Sequence, residues 1–180
     1  SEIAAVVSKL MLDDPKIKVK LVQHGSNMGL GHALHEGVKA CKGDYIVRMD
    51  DDDVCTPNRF KNQMNVIEAN PLIDVCGGQI IEFGLNKTPK IRLVPETYRD
   101  IKRGIGLRNI MNHVTVCMRR SAVLHAGNYD PKIRSGFEDY ELWHRMLAAG
   151  HLFSNMPEPL ALVRFDNTQL TRRSGMRYLF

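Results

Sequence analysis

The sequence predicts an α/β fold in which helices flank a mostly parallel β-sheet. Two observations support this prediction. Up to residue 83, stretches with apolar residues at helical spacing alternate with short apolar stretches typical of strands, as they do where crossover helices join parallel strands. One apolar stretch, Tyr45 to Met49, runs directly into four aspartates, Asp50 to Asp53. Ligands of open α/β sheets bind beyond the carboxyl ends of strands, so these aspartates lie where a ligand site is expected.

Length and composition are those of one ordinary globular domain spanning residues 1–180. The chain of 180 residues is 43% hydrophobic and 25% charged, which allows a real core. No apolar stretch approaches the ~18 residues of a membrane span, and no charged segment followed by an apolar one marks a cleaved signal, so we expect a cytoplasmic protein. The four cysteines are far apart and lack CxxC spacing, which predicts free thiols rather than zinc ligands or disulfides.

The chain is basic, with a net charge of +5 and a pI near 9.1. This charge suits an anionic ligand or peripheral association with an anionic membrane surface, but it also suits a basic globule with neither partner. Aromatic and basic residues do not interleave along any predicted strand, so nucleic acid is not an expected partner.

The elements before the aspartates are two helices and two strands. Apolar residues at helical spacing predict a helix over residues 3–11, which Pro15 closes. The alternation over residues 17–22 predicts an edge or half-buried strand, and a turn comes after it. A second apolar stripe predicts a helix from Leu30 to Cys41, before the strand that begins at Tyr45.

A helix is predicted directly after the aspartates. Thr56 is a good N-cap residue and Pro57 suits the first helical position. Asn70 and Pro71 end this helix. The residues predicted to face inward are Phe60, Met64 and Ile67.

The second half of the chain is predicted to begin with strands at residues 73–76 and 79–83 and a loop at 84–95. A short helix at 97–102 and a strand at 114–118 come next. The remaining predicted elements are helices at 120–126 and 138–149, a strand at 160–165 and a basic tail containing Arg172, Arg173 and Arg177.

The aspartate run predicts a site for a divalent cation. Side chains alternate along an extended chain, so Asp50 and Asp52 would share one face, and Asp51 and Asp53 the other. Oxygen ligands alone favour Mg or Mn over zinc, and one ion bridging Asp50 and Asp52 would hold a phosphorylated substrate. Four adjacent acids could also be a solvated loop. An EF-hand is excluded, because Cys55 and Lys61 stand where its glycine and its chelating glutamate are required.

Several motifs occur in a characteristic order along the chain. They are Asn27-x-Gly29-Leu30, Gly43-x-Tyr45-Ile46, Arg48-Met49-Asp50-x-Asp52-Asp53, Pro57-x-Arg59-Phe60 with Gln63, His113-x-Thr115 and Glu138-Asp139-Tyr140-x-Leu142-Trp143. Together, over residues 15 to 175, the chain resembles the family 2 glycosyltransferases, which have a GT-A (Rossmann-like) fold. The resemblance implies an inverting, metal-dependent transfer of a sugar from a nucleotide-diphosphate donor to a hydroxyl of a glycan or lipid-linked acceptor, as in the synthesis of bacterial surface polysaccharides.

The resemblance also implies roles for particular carboxylates. Asp52 would coordinate Mn or Mg, and Asp50 would lie nearer the nucleotide ribose while contributing to the same metal site. Asp139 matches the catalytic base that takes the proton of the acceptor hydroxyl, and Glu138 would assist it. Judged without the family, Glu138 and Asp139 would be acids favoured at a helix start.

Other positions are carried over to the donor side of the site. Asn27 and His113 belong to the family's motifs and are assigned there, with His113 lining the acceptor or the diphosphate side of the cleft. Arg172 and Arg173 would clamp the diphosphate, because guanidinium groups suit phosphate oxygens. The alternatives are a structural hydrogen bond for His113 and a solvated tail for the arginines. Trp143 is expected in the core or in the wall beneath the site.

The main departure from the family pattern is at the front of the chain. Members begin with a strand, a turn, a helix and a second strand that form the nucleotide pocket, and none of these elements is recognisable here. We therefore expect a fragment lacking the N-terminal βα unit, which either forms a homo-oligomer or needs the missing segment, because unpaired sheet edges invite pairing.

Two other functions fit parts of the sequence. In a haloacid-dehalogenase-type phosphatase, Asp50 would be phosphorylated and Asp52 would act as acid and base. However, that motif usually lies on the first strand, and no later acidic pair of the expected kind is present. The second alternative is a truncated binding module that retains the fold without catalysing a reaction.

Overall fold

The computed structural model describes residues 2–14, 16, 18–84, 87–134 and 136–164. The helices are α1 (Glu2–Asp13), α2 (Leu30–Ala40), α3 (Arg59–Ala69), α4 (Tyr98–Gly104), α5 (Arg120–His125) and α6 (Glu138–Ala148), with a 3-10 turn at His113–Thr115. The strands are β1 (Tyr45–Val47), β2 (Val54–Cys55), β3 (Ile73–Gly84), β4 (Lys87–Arg92), β5 (Cys117–Arg119) and β6 (Leu152–Arg164).

The six described strands form one mixed sheet in the order β1-β5-β3-β6-β2, with β4 also pairing with β3. The α/β class is confirmed, but the sheet is not mostly parallel. Only β3 and β6 pair in parallel, and the other four described pairs are antiparallel. The alternation of helices and strands up to residue 83 did indicate that β1 and β3 run in one direction. It could not reveal that β5 inserts between β1 and β3 in the opposite direction, because strand order depends on contacts distant in sequence.

The principal core lies between α6 and the sheet. Leu142, Trp143 and Met146 are fully buried on one face of α6, next to Val75 of β3 and Phe153 of β6. The Trp143 and Phe153 rings meet edge to face at 5.7 Å. Trp143 is therefore a core residue, and the core fixes α6, which carries the Glu138-Asp139 motif.

Two predicted strand and loop assignments are wrong. Residues 18–22 form no strand, because no described strand lies beside them to accept their backbone hydrogen bonds. The predicted loop at 84–95 contains β4, which pairs antiparallel with the end of β3. The stability of a strand such as β4 depends on packing and hydrogen bonding with its partner strand more than on its own composition. The two strands predicted at 73–76 and 79–83 are one continuous strand, β3.

The start of α3 also differs from the prediction. Asn58, in a left-handed conformation with φ of 60°, is the N-cap residue, while the Thr56 hydroxyl donates to the Pro159 carbonyl at 3.1 Å. The predicted inward stripe is correct at Ile67, which is 1% exposed, and Met64 is partly buried against the same cluster, but the prediction is wrong at Phe60, which is 51% exposed. The residues that face inward are Arg59, Gln63 and Ile67.

Candidate active site

A cleft of about 560 Å³ opens between the segment after β1 and the start of α6. Its lining is strongly charged and includes four carboxylates and three guanidinium groups. The carboxylates are Asp50, Asp53, Glu138 and Asp139, and the guanidinium groups belong to Arg48, Arg92 and Arg108. Asn109, Asn112 and His113 add neutral polar groups. The cleft thus combines ionisable bases with cations that can bind anions.

The aspartate run does not continue β1. The strand ends at Val47 and the chain turns at residues 51 and 52, so the alternation of side chains predicted for an extended chain does not hold. Asp50 and Asp53 line the cleft, whereas Asp52 is exposed. Asp53 accepts a hydrogen bond from the Arg164 amide at 2.9 Å, and burial raises its pKa.

A buried arginine holds the segment that leads into the aspartates. Arg59 is 1% exposed and donates from Nη2 to the carbonyl of Arg48 at 3.0 Å. Its Nε donates to Gln63 Oε1 at 3.1 Å. The Gln63 amide in turn donates to the carbonyls of Cys76 at 2.7 Å and Thr115 at 2.8 Å. These bonds join α3, β3 and the 3-10 turn to the backbone beside Asp50, which explains why polar residues occupy the inner face of α3.

Asp139 is the carboxylate on the opposite side of the cleft, in the first turn of α6. It is half-buried, and its Oδ1 accepts the Tyr140 amide at 2.7 Å. Burial raises its pKa, the nearby charge of Glu138 raises it further, and a hydrogen bond from Asn109 opposes both effects. Glu138 is buried and accepts the Gly136 amide at 2.6 Å. The N-cap position itself, Phe137, makes no side-chain cap.

Asn109 was not identified from the sequence, although it makes the closest side-chain contact with Asp139. Its Nδ2 donates to Asp139 Oδ2 at 2.6 Å, and its Oδ1 accepts the Met111 amide at 3.2 Å. Because the Met111 amide requires an acceptor, the Asn109 amide group must turn its donor toward Asp139. No sequence signal marked this contact, because 30 residues separate the two side chains.

The positions predicted for the donor side are dispersed. His113 lines the cleft, and its Nε2 lies 2.8 Å from the hydroxyl of Tyr129. Burial and the charge of Arg48 keep the pKa of His113 well below its usual value, so the ring is neutral. Asn27 lies in the turn before α2, where its Oδ1 accepts the Gly29 amide at 2.9 Å. The predicted Arg172 and Arg173 lie outside the described residues.

The carboxylates fit a cation that is shared with a ligand. Within the described ranges, no three His, Cys, Asp or Glu side chains converge as a metal cluster. Mg²⁺, however, is commonly held by one or two carboxylates together with substrate phosphates. The Asp50 side chain is 39% exposed at the cleft, and its Oδ1 pairs with Arg48. Among the described residues, no hydrogen bond or ion pair occupies its second oxygen, which can therefore bind such an ion.

Known proteins similar to this chain are glycosyltransferases. The profile of the family "Glycosyl transferase family 2" matches residues 2–127. An uncharacterized glycosyltransferase of Haemophilus influenzae is 39% identical, over 91% of this chain and 60% of its own length. The amylovoran biosynthesis glycosyltransferase AmsE of Erwinia amylovora is 34% identical, over 85% of this chain and 57% of its own length. The chain thus spans somewhat over half the length of these relatives.

Solved structures agree in fold at low sequence identity. TarS of S. aureus, residues 1–349, superposes with a TM-score of 0.70 over 91% of this chain and 48% of TarS, at 17% identity. The mannosyltransferase PcManGT of Pyrobaculum calidifontis, solved with GDP-Man and Mn²⁺, gives a TM-score of 0.65 over 91% of this chain and 44% of its own, at 14% identity. None of the helices described in this chain is long and apolar enough to cross a membrane. The family profile, the relatives and the shared fold together show that this chain belongs to glycosyl transferase family 2.

Proposed function

We propose that this chain is the site-bearing part of an inverting glycosyltransferase that uses a nucleotide-diphosphate sugar. The observation that carries this proposal is the position of Asp139, an oriented carboxylate in the same cleft as Asp50 and Asp53. Displacement at an anomeric carbon requires a base on one side of the reacting carbon and, on the other, groups that hold the departing diphosphate. Here Asp139 would be the base, and the aspartates opposite would hold a cation for the diphosphate.

In the proposed reaction, Asp139 accepts the proton of an acceptor hydroxyl. The acceptor oxygen forms its bond to the anomeric carbon from the face opposite the donor's phosphate, and the bond from that carbon to the phosphate oxygen breaks. The nucleoside diphosphate leaves with the electron pair. Asp50 and Asp52 are the residues we propose to hold Mn or Mg, which supplies Lewis-acid neutralisation of the departing diphosphate when bound.

The relatives support a proposal for the acceptor and the location. One is the UDP-Gal:alpha-D-GlcNAc-diphosphoundecaprenol beta-1,3-galactosyltransferase of Escherichia coli, 31% identical over 84% of this chain and 55% of its own length. Together with AmsE, it favours a glycan or lipid-linked acceptor in bacterial surface polysaccharide synthesis. The basic charge is consistent with a cytoplasmic enzyme that associates peripherally with the membrane.

The remaining proposals concern organisation and the donor side. We propose that residues 1–180 belong to one domain, because the six described strands share one sheet. Self-association is proposed through the edge of β1 that pairs with no other described strand, where Val47 is 40% exposed. His113 is retained as a donor-side residue because it lines the cleft. We also propose that Asn27, Arg172 and Arg173 contact the donor. Asn27 is proposed because it belongs to the Asn27-x-Gly29-Leu30 motif, and the two arginines because they lie in the basic tail.

Thermal melting with UDP, GDP, CDP and dTDP, each with and without Mn, tests the proposed donor site. A ligand at 100 times its Kd should add about 2.7 kcal/mol to the free energy of unfolding, or several degrees in Tm. We expect one nucleotide to do so only with Mn, and the shift to disappear in Asp50→Asn and Asp52→Asn. Asp44→Asn is the control, because Asp44 is exposed and does not line the cleft. The absence of any shift from all four nucleotides would contradict the proposed donor site.

The pH dependence of transfer tests Asp139 as the base. A carboxylate accepts protons only when ionised, so activity is lost as the pH falls through the pKa of Asp139 in the folded protein. Because burial raises that pKa, the acid limb of kcat/KM should lie above the pH expected for an ordinary aspartate, about 3.9. Asn109→Ala removes a hydrogen bond that lowers the pKa of Asp139, so it should move the acid limb of kcat/KM to still higher pH. Exposed Asn65→Ala is the control, and an unmoved limb in Asn109→Ala would contradict the proposed contact.

A further inference from the structure

Arg48 is one of the three arginines that line the cleft. It lies directly after β1, and its backbone is fixed on both sides. Its amide donates to the Val116 carbonyl at 3.1 Å, and its carbonyl accepts from the buried guanidinium of Arg59 at 3.0 Å. Only 11% of the Arg48 side chain is exposed, although it lines the cleft. A side chain anchored in this way has little conformational freedom to lose when it binds a ligand.

The guanidinium of Arg48 has unused hydrogen-bonding capacity. An arginine side chain has five N–H donors. Within the described parts of the chain, Arg48 donates only from Nη2, to Asp50 Oδ1. Its remaining N–H groups have no protein partner there and are not closed off from solvent, so a ligand that enters the cleft can accept hydrogen bonds from them. Asp50 therefore fixes the orientation of the guanidinium while leaving donors for a second anion.

The charge of Arg48 acts on both sides of the cleft. It partly opposes the burial that raises the pKa of Asp53 on the aspartate side and of Asp139 on the base side, and it adds to the burial that keeps His113 neutral. Arg108, by comparison, lines the same cleft but is exposed to solvent. Screening by water weakens an exposed charge, so Arg48 is the better-placed of these two cations for holding an anion in the cleft.

We propose that Arg48 binds phosphate oxygens of a substrate through the donors that Asp50 leaves free. This inference rests on the proposed function. Arg48 would contact directly the phosphate that Asp50 and Asp52 would bind through a cation. The planar fork of a guanidinium matches phosphate oxygens bidentately. The phosphate belongs either to the donor's diphosphate or to a phosphorylated acceptor, and both present the same chemistry to Arg48.

Calorimetry with inorganic diphosphate in metal-free buffer tests this role directly. Arg48→Gln should weaken binding about 10- to 100-fold, as expected for loss of hydrogen bonds to a charged group. Arg48→Lys should recover part of the affinity, because it keeps the charge without the fork. Arg99→Gln makes the same charge change on the exposed face of α4 and should leave the affinity within about twofold, as is usual for a solvated charge.

The double variant Arg48→Gln/Asp50→Asn separates binding from mere neutralisation of Asp50. It removes both members of the ion pair. If Arg48 only neutralises Asp50, the stability and the diphosphate affinity of this variant should both return to the values of the unsubstituted chain. We expect stability to return and affinity to stay low. Recovery of affinity in the double variant would overturn the proposal, as would unchanged affinity in Arg48→Gln. Because the double variant is expected to fold, instability of Arg48→Gln alone does not obscure the result.

Transfer kinetics distinguish the two sources of phosphate. A rise in KM for the nucleotide sugar alone in Arg48→Gln would assign the donor diphosphate, whereas a rise for a phosphorylated acceptor alone would assign the acceptor. Unchanged KM values for both would contradict the proposal. If the unsubstituted chain neither binds diphosphate nor transfers a sugar, the proposed function fails together with this inference. If it does both and the Arg48 variants do so equally well, only this inference fails.

Discussion

Replacement of Asp139 by asparagine is expected to lower kcat for sugar transfer by roughly 10²- to 10⁴-fold, the usual contribution of a positioned general base. Asparagine has nearly the same shape, and its side-chain oxygen can still accept the Tyr140 amide that Asp139 accepts at 2.7 Å. It cannot take a proton from the acceptor. The affinity for the donor should therefore change little, which steady-state kinetics and nucleotide titration would show together.

The exposed Asp44 provides the matched control for this change. Asp44→Asn makes the same chemical substitution outside the cleft and should leave both kcat and KM near their original values. A loss below about tenfold in Asp139→Asn, or 1.4 kcal/mol in activation free energy, would argue against Asp139 as the base. A loss of donor affinity equal to the loss of kcat would instead indicate that the substitution disturbs the cleft.

Replacement of Gly31 by alanine is expected to destabilise the fold by about 3 kcal/mol, near the upper end for overpacking. A Cβ at Gly31 would lie 2.1 Å from the Ile133 carbonyl oxygen and 2.8 Å from that of Asp130. These are backbone atoms of the segment that leads to α6, so they cannot move aside as the end of a flexible side chain could. For a domain of this size the Tm should fall by roughly 6–12 °C.

Gly37 in the same helix is the control, because an added Cβ there meets nothing within 4 Å. Gly37→Ala should stabilise the protein by up to about 1 kcal/mol, since alanine loses less conformational entropy than glycine in a helix interior. Equal effects of the two substitutions would show that α2 does not pack against residues 130–133 as described. The Leu30 amide makes an independent contact with that segment, donating to the Arg134 carbonyl at 2.6 Å.

Local patterns predicted the helices better than the strands. The predicted helices at 97–102, 120–126 and 138–149 correspond to α4, α5 and α6, and Thr97 caps α4 by accepting the Asp100 amide. A helix satisfies its backbone hydrogen bonds within one segment, so its signals are local. A strand requires a neighbour, which is why β4 was missed and why residues 18–22 were assigned to a strand that the structure does not contain.

The family and the general place of the site were also accessible from sequence, because the order of motifs is itself a sequence property. The individual contacts were not. Arg59 and Gln63 belonged to a recognised motif, yet their burial beside Ile67 on the inner face of α3 was not predicted. That face bonds to carbonyls of Arg48, Cys76 and Thr115, which no periodicity in α3 could reveal.

The sequence by itself determined the α/β class, most of the helices, the family and the two acidic motifs that mark the site. Only the tertiary structure decided which side chains meet. It turns the chain after β1 so that Asp50 and Asp53 line the cleft, and it brings Asn109 to Asp139. It also leaves Arg48 with donors that no other described residue binds. The physical reason is that helical periodicity and motif order are written in neighbouring residues, whereas strand order, turns and hydrogen bonds between distant segments depend on the packing of the whole chain.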